Sequence, residues 1–166
     1  MKNLVFISYS RSDKYFVEKL SQKLKSKGVK FWYDAKIEAG DHWDIKIEEK
    51  IESAKKLILV LSKSSVASQN VMDEVSFAMT KDKKIIPIII EPCNVPMRVA
   101  RFQQIDFTKS KKEGTKALLA TLGVRPKLRN TINLIMGYIM LIFIGVIIGF
   151  GLAYLFQTDI INDLIN

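Results

Sequence analysis

The sequence predicts an α/β domain, a parallel five-stranded sheet with helices on both faces, followed by one membrane-spanning helix. Three observations carry that prediction. Short apolar runs at Leu4 to Ile7, Leu57 to Leu61 and Ile85 to Ile90 read as strands covered on both sides. Between them lie segments with apolar residues at helical spacing, which makes βαβ units with right-handed crossovers. Finally, the 25 residues from Ile132 to Phe156 carry no charge, above the ~18–20 needed to span a bilayer.

Leu4-Val5-Phe6-Ile7 forms the first strand and ends at Ser8-Tyr9-Ser10-Arg11-Ser12-Asp13, a loop that leads into a helix cap. Phe16, Leu20 and Leu24 recur at helical spacing, and Gly28 closes that helix. Val29 to Tyr33 is the second strand, and Asp34 to Asp41 a turn-rich stretch. Trp43, Ile47, Ile51 and Ala54 mark the second helix, Leu57 to Leu61 the third strand and Ser62 to Ser68 a polar loop. Val71, Val75 and Ala78 give a third helix. Ile85 to Ile90 is a strand whose Pro87 argues for a place near a sheet edge. Ile105-Asp106-Phe107 is a short fifth strand, and Thr115 to Leu122 the last helix of the domain. Sheets of this kind hold ligands at the carboxyl ends of their strands, so loops 8–13, 34–43, 62–70 and 91–101 are the ones to watch.

Composition narrows the function. All 26 Lys and Arg lie at or before Arg129, and the last 37 residues carry only Asp159 and Asp163. The apolar content of 48% rules out a disordered chain, and one cysteine, Cys93, rules out a disulfide scaffold. With His42 as the one histidine, no zinc site is expected and a Ser-His-Asp triad has nothing to argue for it. Neither G-x-x-x-x-G-K-[ST] nor G-x-G-x-x-G occurs.

Fifteen of the 25 uncharged residues are Ile, Leu, Phe or Val, worth about −4 to −9 kcal/mol of insertion free energy as an upper bound. Lys109, Lys111, Lys112, Lys116, Arg125, Lys127 and Arg129 precede the run and nothing basic follows it, which predicts a single-pass protein with its amino-terminal domain on the cytoplasmic face. Met1-Lys2-Asn3-Leu4 does not resemble a secretory signal, so the chain reads as tail-anchored. Within the span, Gly145, Gly149 and Ala153 recur every fourth residue and share one helix face, where small side chains let a second helix approach closely. The basic excess lies partly beside the membrane, so anionic headgroups account for it better than nucleic acid does.

Ser8-Tyr9-Ser10-Arg11-Ser12-Asp13 after the first strand resembles the opening motif of the Toll/interleukin receptor homology (TIR) domain. Tyr33-Asp34 with Ala39-Gly40-Asp41, Trp43 and Ile47 is similar to the second strand and long "BB" loop of that family. Leu57 to Ser62 looks like its central strand. Ser68 and Glu74 match the family's Ser-x-Trp-x-x-x-Glu, and Phe102-Gln103-Gln104-Ile105-Asp106-Phe107 resembles the terminal strand of compact bacterial members. The resemblance covers about residues 2–123 and implies a flavodoxin-like sheet. The expected boundaries are 1–123 for the TIR domain, 124–131 for a basic linker, 132–156 for the span and 157–166 for a short tail.

Members of the family either hold other TIR domains, as signalling and immunity adaptors, or cleave the bond between nicotinamide and ribose in NAD⁺. The resemblance implies NAD⁺ as substrate, with no cofactor and no metal, and Glu74 as the catalytic residue. Nicotinamide in NAD⁺ is already a cationic leaving group, so bond breaking needs no general acid. A fixed carboxylate stabilises the oxocarbenium-like centre that forms at the ribose. Ser8, Tyr9, Arg11, Asp34, Trp43 and Asn70 are the implied substrate-binding residues, with Arg11 suited to a pyrophosphate. Asn70 stands where the family has Trp. Gly40 of the BB loop joins Gly145, Gly149 and Ala153 as a self-association residue, since enzymatic relatives often complete the site with a neighbour's BB loop. The rival reading is a non-catalytic adaptor that recruits another TIR protein to the membrane.

Overall fold

Successive side chains of a strand point to opposite faces, and in this protein both faces are apolar. Phe6, Leu57, Leu59, Leu61 and Ile85 enter one core, while Val5, Ile7, Ile58, Val60, Ile86 and Ile88 enter the other. The computed structural model describes residues 4–33, 43–124 and 134–151. It divides into two compact units, Met1–Arg125 and Pro126–Asn166.

In the first unit the sheet is parallel throughout and runs β2-β1-β3-β4-β5, with β1 at Val5–Ser8, β2 at Phe31–Trp32, β3 at Lys56–Leu61, β4 at Lys84–Ile89 and β5 at Ile105–Asp106. The helices are α1 (Lys14–Ser26), α2 (Trp43–Ser53), α3 (Lys63–Val66), α4 (Gln69–Thr80), α5 (Met97–Ala100) and α6 (Lys111–Leu122). Ile47 and Ile51 of α2 pack on the Phe6 face with Val71, Val75 and Ala78 of α4 and Val99 of α5. Val17, Leu20 and Leu24 of α1 and Leu118 of α6 cover the other face. The chain leaves β1 for β2 on one side and returns to β3 on the other, so the strand order reverses between β1 and β3. That switch point is where sheets of this type open a crevice at the carboxyl ends of the strands.

The predicted architecture is the one found, with local corrections. Ser62 to Ser68, read as a polar loop, contains the one-turn α3. Ser62 Oγ accepts from Ser65 N and Ser65 Oγ from Ser62 N, a reciprocal cap that makes this turn helical. The second strand is two residues long because only Val5 and Phe6 of β1 pair with it. The last helix begins four residues earlier than predicted, since Ser110 caps it, and α5 had no sequence signal. Pro87 fits its position: β5 pairs only with Ile88 and Ile89, so the outer flank of β4 is open at the proline.

Gly28 closes α1 as expected, in the left-handed conformation at φ +74°. Gly114 serves a different purpose, because a Cβ there would lie 2.7 Å from the Phe107 ring. The helix therefore reaches the sheet only with glycine at that position.

In the second unit, α7 spans Leu134–Gly151, with a mean hydropathy of 2.5 over 18 residues. It is long and apolar enough to cross a membrane. Gly145 and Gly149 lie one turn apart on it, with nothing within 4 Å of an added Cβ at either.

Candidate functional site

Ser8 ends β1 beside Leu59 of β3, at the switch point, and is 1% exposed. Its hydroxyl donates to Glu74 Oε2 at 2.5 Å. Glu74 comes from the second turn of α4, which starts at the cap formed by Ser68 Oγ accepting from Val71 N. Val71 and Val75 on either side of Glu74 are buried against the sheet, which fixes the helix and leaves the carboxylate half-buried at its edge. A carboxylate held by a buried hydroxyl at a strand end is positioned, whereas one on a free helix surface samples several rotamers.

Glu74 also lines a cavity of about 440 Å³ between α2 and α4. Asn70 lies one turn before it on the same wall. Ile47, Ile51 and Phe77 supply the apolar surface, and Glu48 and Asp73 add two more carboxylates. Neither Glu48 nor Asp73 carries a sequence signal, since each reads as an ordinary exposed helix residue. Asp73 is oriented by Gln69 Nε2, which donates to its Oδ1 at 2.8 Å.

A second polar cluster braces the β1 loop. Ser62, fully buried at the end of β3, donates from Oγ to Asp13 Oδ2 at 2.6 Å. Glu91 Oε1 accepts from Lys63 N at 2.7 Å. Burial pushes the Asp13 carboxyl above its ordinary value, the Ser62 hydrogen bond opposes that shift, and the Glu91 charge adds to it. Asp13 stands at the N-cap of α1, as the sequence predicts, but its side chain makes no cap hydrogen bond. The structure ties it across the switch point to β3, and no local signal reports a bond over 49 residues of chain.

The structure thus brings Ser8 to Glu74, and Glu74 onto the same cavity wall as Asn70. Ser8, expected as a substrate contact, is buried, so any part it plays runs through the Glu74 carboxylate. Tyr9 is half-buried and meets Tyr33 edge to face at 5.9 Å, while Arg11 is exposed in the 3₁₀ turn Arg11–Asp13. Trp43 is the first residue of α2, the helix that supplies one cavity wall. Asp34, Gly40 and Ala153 lie outside the described residues. Among the described residues, no group of three or more His, Cys, Asp or Glu is arranged to hold a metal ion.

A doubly wound domain with a hydrogen-bonded carboxylate at its switch point defines the class. Residues 5–121 match the TIR domain family, and the chain belongs to it. An NAD(+) hydrolase, TcpA, from Theionarchaea archaeon (strain DG-70-1) is 33% identical over 90 residues, which is 51% of this chain and 27% of that protein. The chain therefore matches about a quarter of that relative's length. Among solved structures, the TIR domain of the Toll-related receptor TRR-2 from Hydra magnipapillata superposes with a TM-score of 0.63 at 21% identity, over 71% of this chain and 96% of that one. The TIR domains of the activated Roq1 resistosome give 0.58 at 15% identity, over 73% and 99%.

Proposed function

We propose that this chain is a membrane-anchored TIR domain that cleaves the nicotinamide–ribose bond of NAD⁺ and is activated by self-association. The products are nicotinamide and ADP-ribose or a cyclised form of it. The observation that carries the reading is Glu74, a carboxylate fixed by Ser8 at the switch point and lining a cavity between α2 and α4. The likeness to an NAD(+) hydrolase supports it. In this reaction the ring nitrogen leaves with its bonding electrons and becomes neutral. Positive charge then develops at the anomeric carbon, where Glu74 stabilises it until water or a group of the same molecule attacks. Ser8 positions the carboxylate, and Arg11 and Asn70 are the candidate contacts to the rest of the nucleotide. No cofactor is required.

The α7 helix is the anchor, with the domain on the cytoplasmic face because the basic residues all precede it. Confinement to a surface raises effective concentration, which favours pairing through Gly40 of one domain and through Gly145, Gly149 and Ala153 of the span. The test is release of nicotinamide from NAD⁺ by purified full-length protein packed densely in vesicles. Steady release supports the enzyme.

Asn70 favours a second reading, an adaptor that recruits another TIR protein. It is exposed on the cavity wall where the family's aromatic stands, and it offers no ring to stack. Vesicles that release no nicotinamide but capture a second TIR protein establish that reading instead.

A further inference from the structure

The end of the sheet opposite Glu74 is basic. Lys30 precedes β2, Lys55 precedes β3, Lys56 opens β3, Lys83 precedes β4 and Lys84 opens it. The register aligns them, since Val5 pairs with both Phe31 and Lys56, and Lys56 with Lys84. Two members of the row are used internally. Lys56 Nζ donates to the carbonyls of Thr121 and Leu122 at 3.1 Å each, and Lys83 Nζ to the Glu52 carbonyl at 2.6 Å. Lys30, Lys55 and Lys84, with Lys27 beside them, are exposed and form no ion pair among the described residues. Of the nearby acids, Glu52 is already paired with Lys81 at 2.5 Å. The field is felt within the row: Lys56 is held below its ordinary pKa, first by burial and then by the charge of Lys84.

The chain leaves the domain at the same end. Val124 lines a cavity of about 360 Å³ together with Gly28, Lys30, Lys55 and Lys56. The next nine residues hold Arg125, Lys127 and Arg129 and lead to Leu134, the start of α7.

We propose that this lysine row is a membrane-contact surface, seated on anionic headgroups so that the carboxyl ends of the strands, where Ser8 holds Glu74, face away from the bilayer. The proposal rests on the reading of α7 as an anchor. A tether alone leaves the domain free to swing, whereas a row of unpaired lysines beside an anionic leaflet selects one orientation. Each lysine near such a surface favours the docked state by about fivefold.

The test uses the full chain in nanodiscs of phosphatidylcholine alone and of phosphatidylcholine mixed with phosphatidylserine. Exposed amines are acetylated and read by mass spectrometry. Lys27, Lys30, Lys55 and Lys84 should react at least about fivefold more slowly in the anionic discs, with the difference erased by high salt. Lys14 and Lys63, at the opposite end, should react alike in both. The triple substitution Lys30→Glu, Lys55→Glu and Lys84→Glu, all at exposed positions, should restore fast acetylation of Lys27 in anionic discs. A chain that enters neither disc refutes the anchor and this proposal with it. A chain that enters both and reacts equally in both refutes this proposal alone. Protection that follows an added oligonucleotide and not phosphatidylserine overturns it in favour of nucleic acid.

Discussion

Replacing Glu74 by Gln separates charge from shape. Glu74 accepts a hydrogen bond from buried Ser8, and the Gln Oε1 can accept the same bond, so the cavity wall keeps its geometry and loses one negative charge. A hydrogen bond to a charged group is worth roughly 1.5–3 kcal/mol and one to a neutral group roughly 0.5–1.5, so the substitution costs about 1 kcal/mol of stability. For a domain of this size that lowers the melting temperature by about 3–5 °C, leaving it folded at the assay temperature. The rate changes on another scale. Loss of one preorganised electrostatic stabiliser costs about 10²–10³ in turnover, or ~2.7–4 kcal/mol.

Nicotinamide release is followed for both proteins in vesicles at equal, high surface density, with thermal melts run in parallel. A hundredfold fall in kcat beside a small shift in Tm is the expected result. Glu74→Gln with wild-type turnover refutes the assignment of Glu74, and wild-type protein that cleaves nothing at high density refutes the enzyme.

Three further outcomes are expected. Gly114→Ala places a Cβ 2.7 Å from the Phe107 ring, an overpacking cost of ~1–3 kcal/mol against a helix-propensity gain of ~1, so denaturant titration should show a net loss of up to about 2 kcal/mol. Asp13 has a folded-state pKa raised by burial, so its charge opposes folding above that pKa. Asp13→Asn should therefore be more stable than wild type at neutral pH, and denaturation across the acid range should show the advantage narrowing as the pH falls through the raised pKa. Gly149→Leu fills the small-residue face of α7 and should shift the full chain toward monomer in detergent sedimentation, with the melt of the domain unchanged.

The sheet was legible because burial on both faces leaves strands that are apolar throughout, as in Leu57 to Leu61, and a run that short fits a buried strand better than a buried core helix. Helix ends were legible where a glycine adopts positive φ, as Gly28 does. The α3 turn was hidden because its cap uses serine at both ends, Ser62 and Ser65, and lacks the acidic third residue that marks such boxes. Glu74 stood out only through the family motif, since hydropathy spacing treats it as one more solvated glutamate. Its bond to Ser8, 66 residues earlier in the chain, follows from the strand order, which local sequence does not encode. The same holds for Asp13 and Ser62.

The two remaining carboxylates of the cavity separate binding from chemistry. On the proposed reading the substrate arrives with its positive charge on the nicotinamide ring, and that charge passes to the ribose as the bond breaks. A diffuse negative lining from Glu48 and Asp73 attracts the cation before and during that shift to similar degrees, so it strengthens binding without lowering the barrier. Only a carboxylate placed against the ribose gains in the transition state. Glu48→Gln and Asp73→Asn should therefore raise KM with kcat nearly unchanged, whereas Glu74→Gln lowers kcat. Both side chains are exposed, so solvent screens them and the rise should be a few-fold at most, larger at low salt than at high. Steady-state kinetics of the three variants at two ionic strengths checks this. If Asp73→Asn cut kcat as deeply as Glu74→Gln did, the developing charge would have to lie nearer Asp73, and the assignment of the ribose to Glu74 would be wrong.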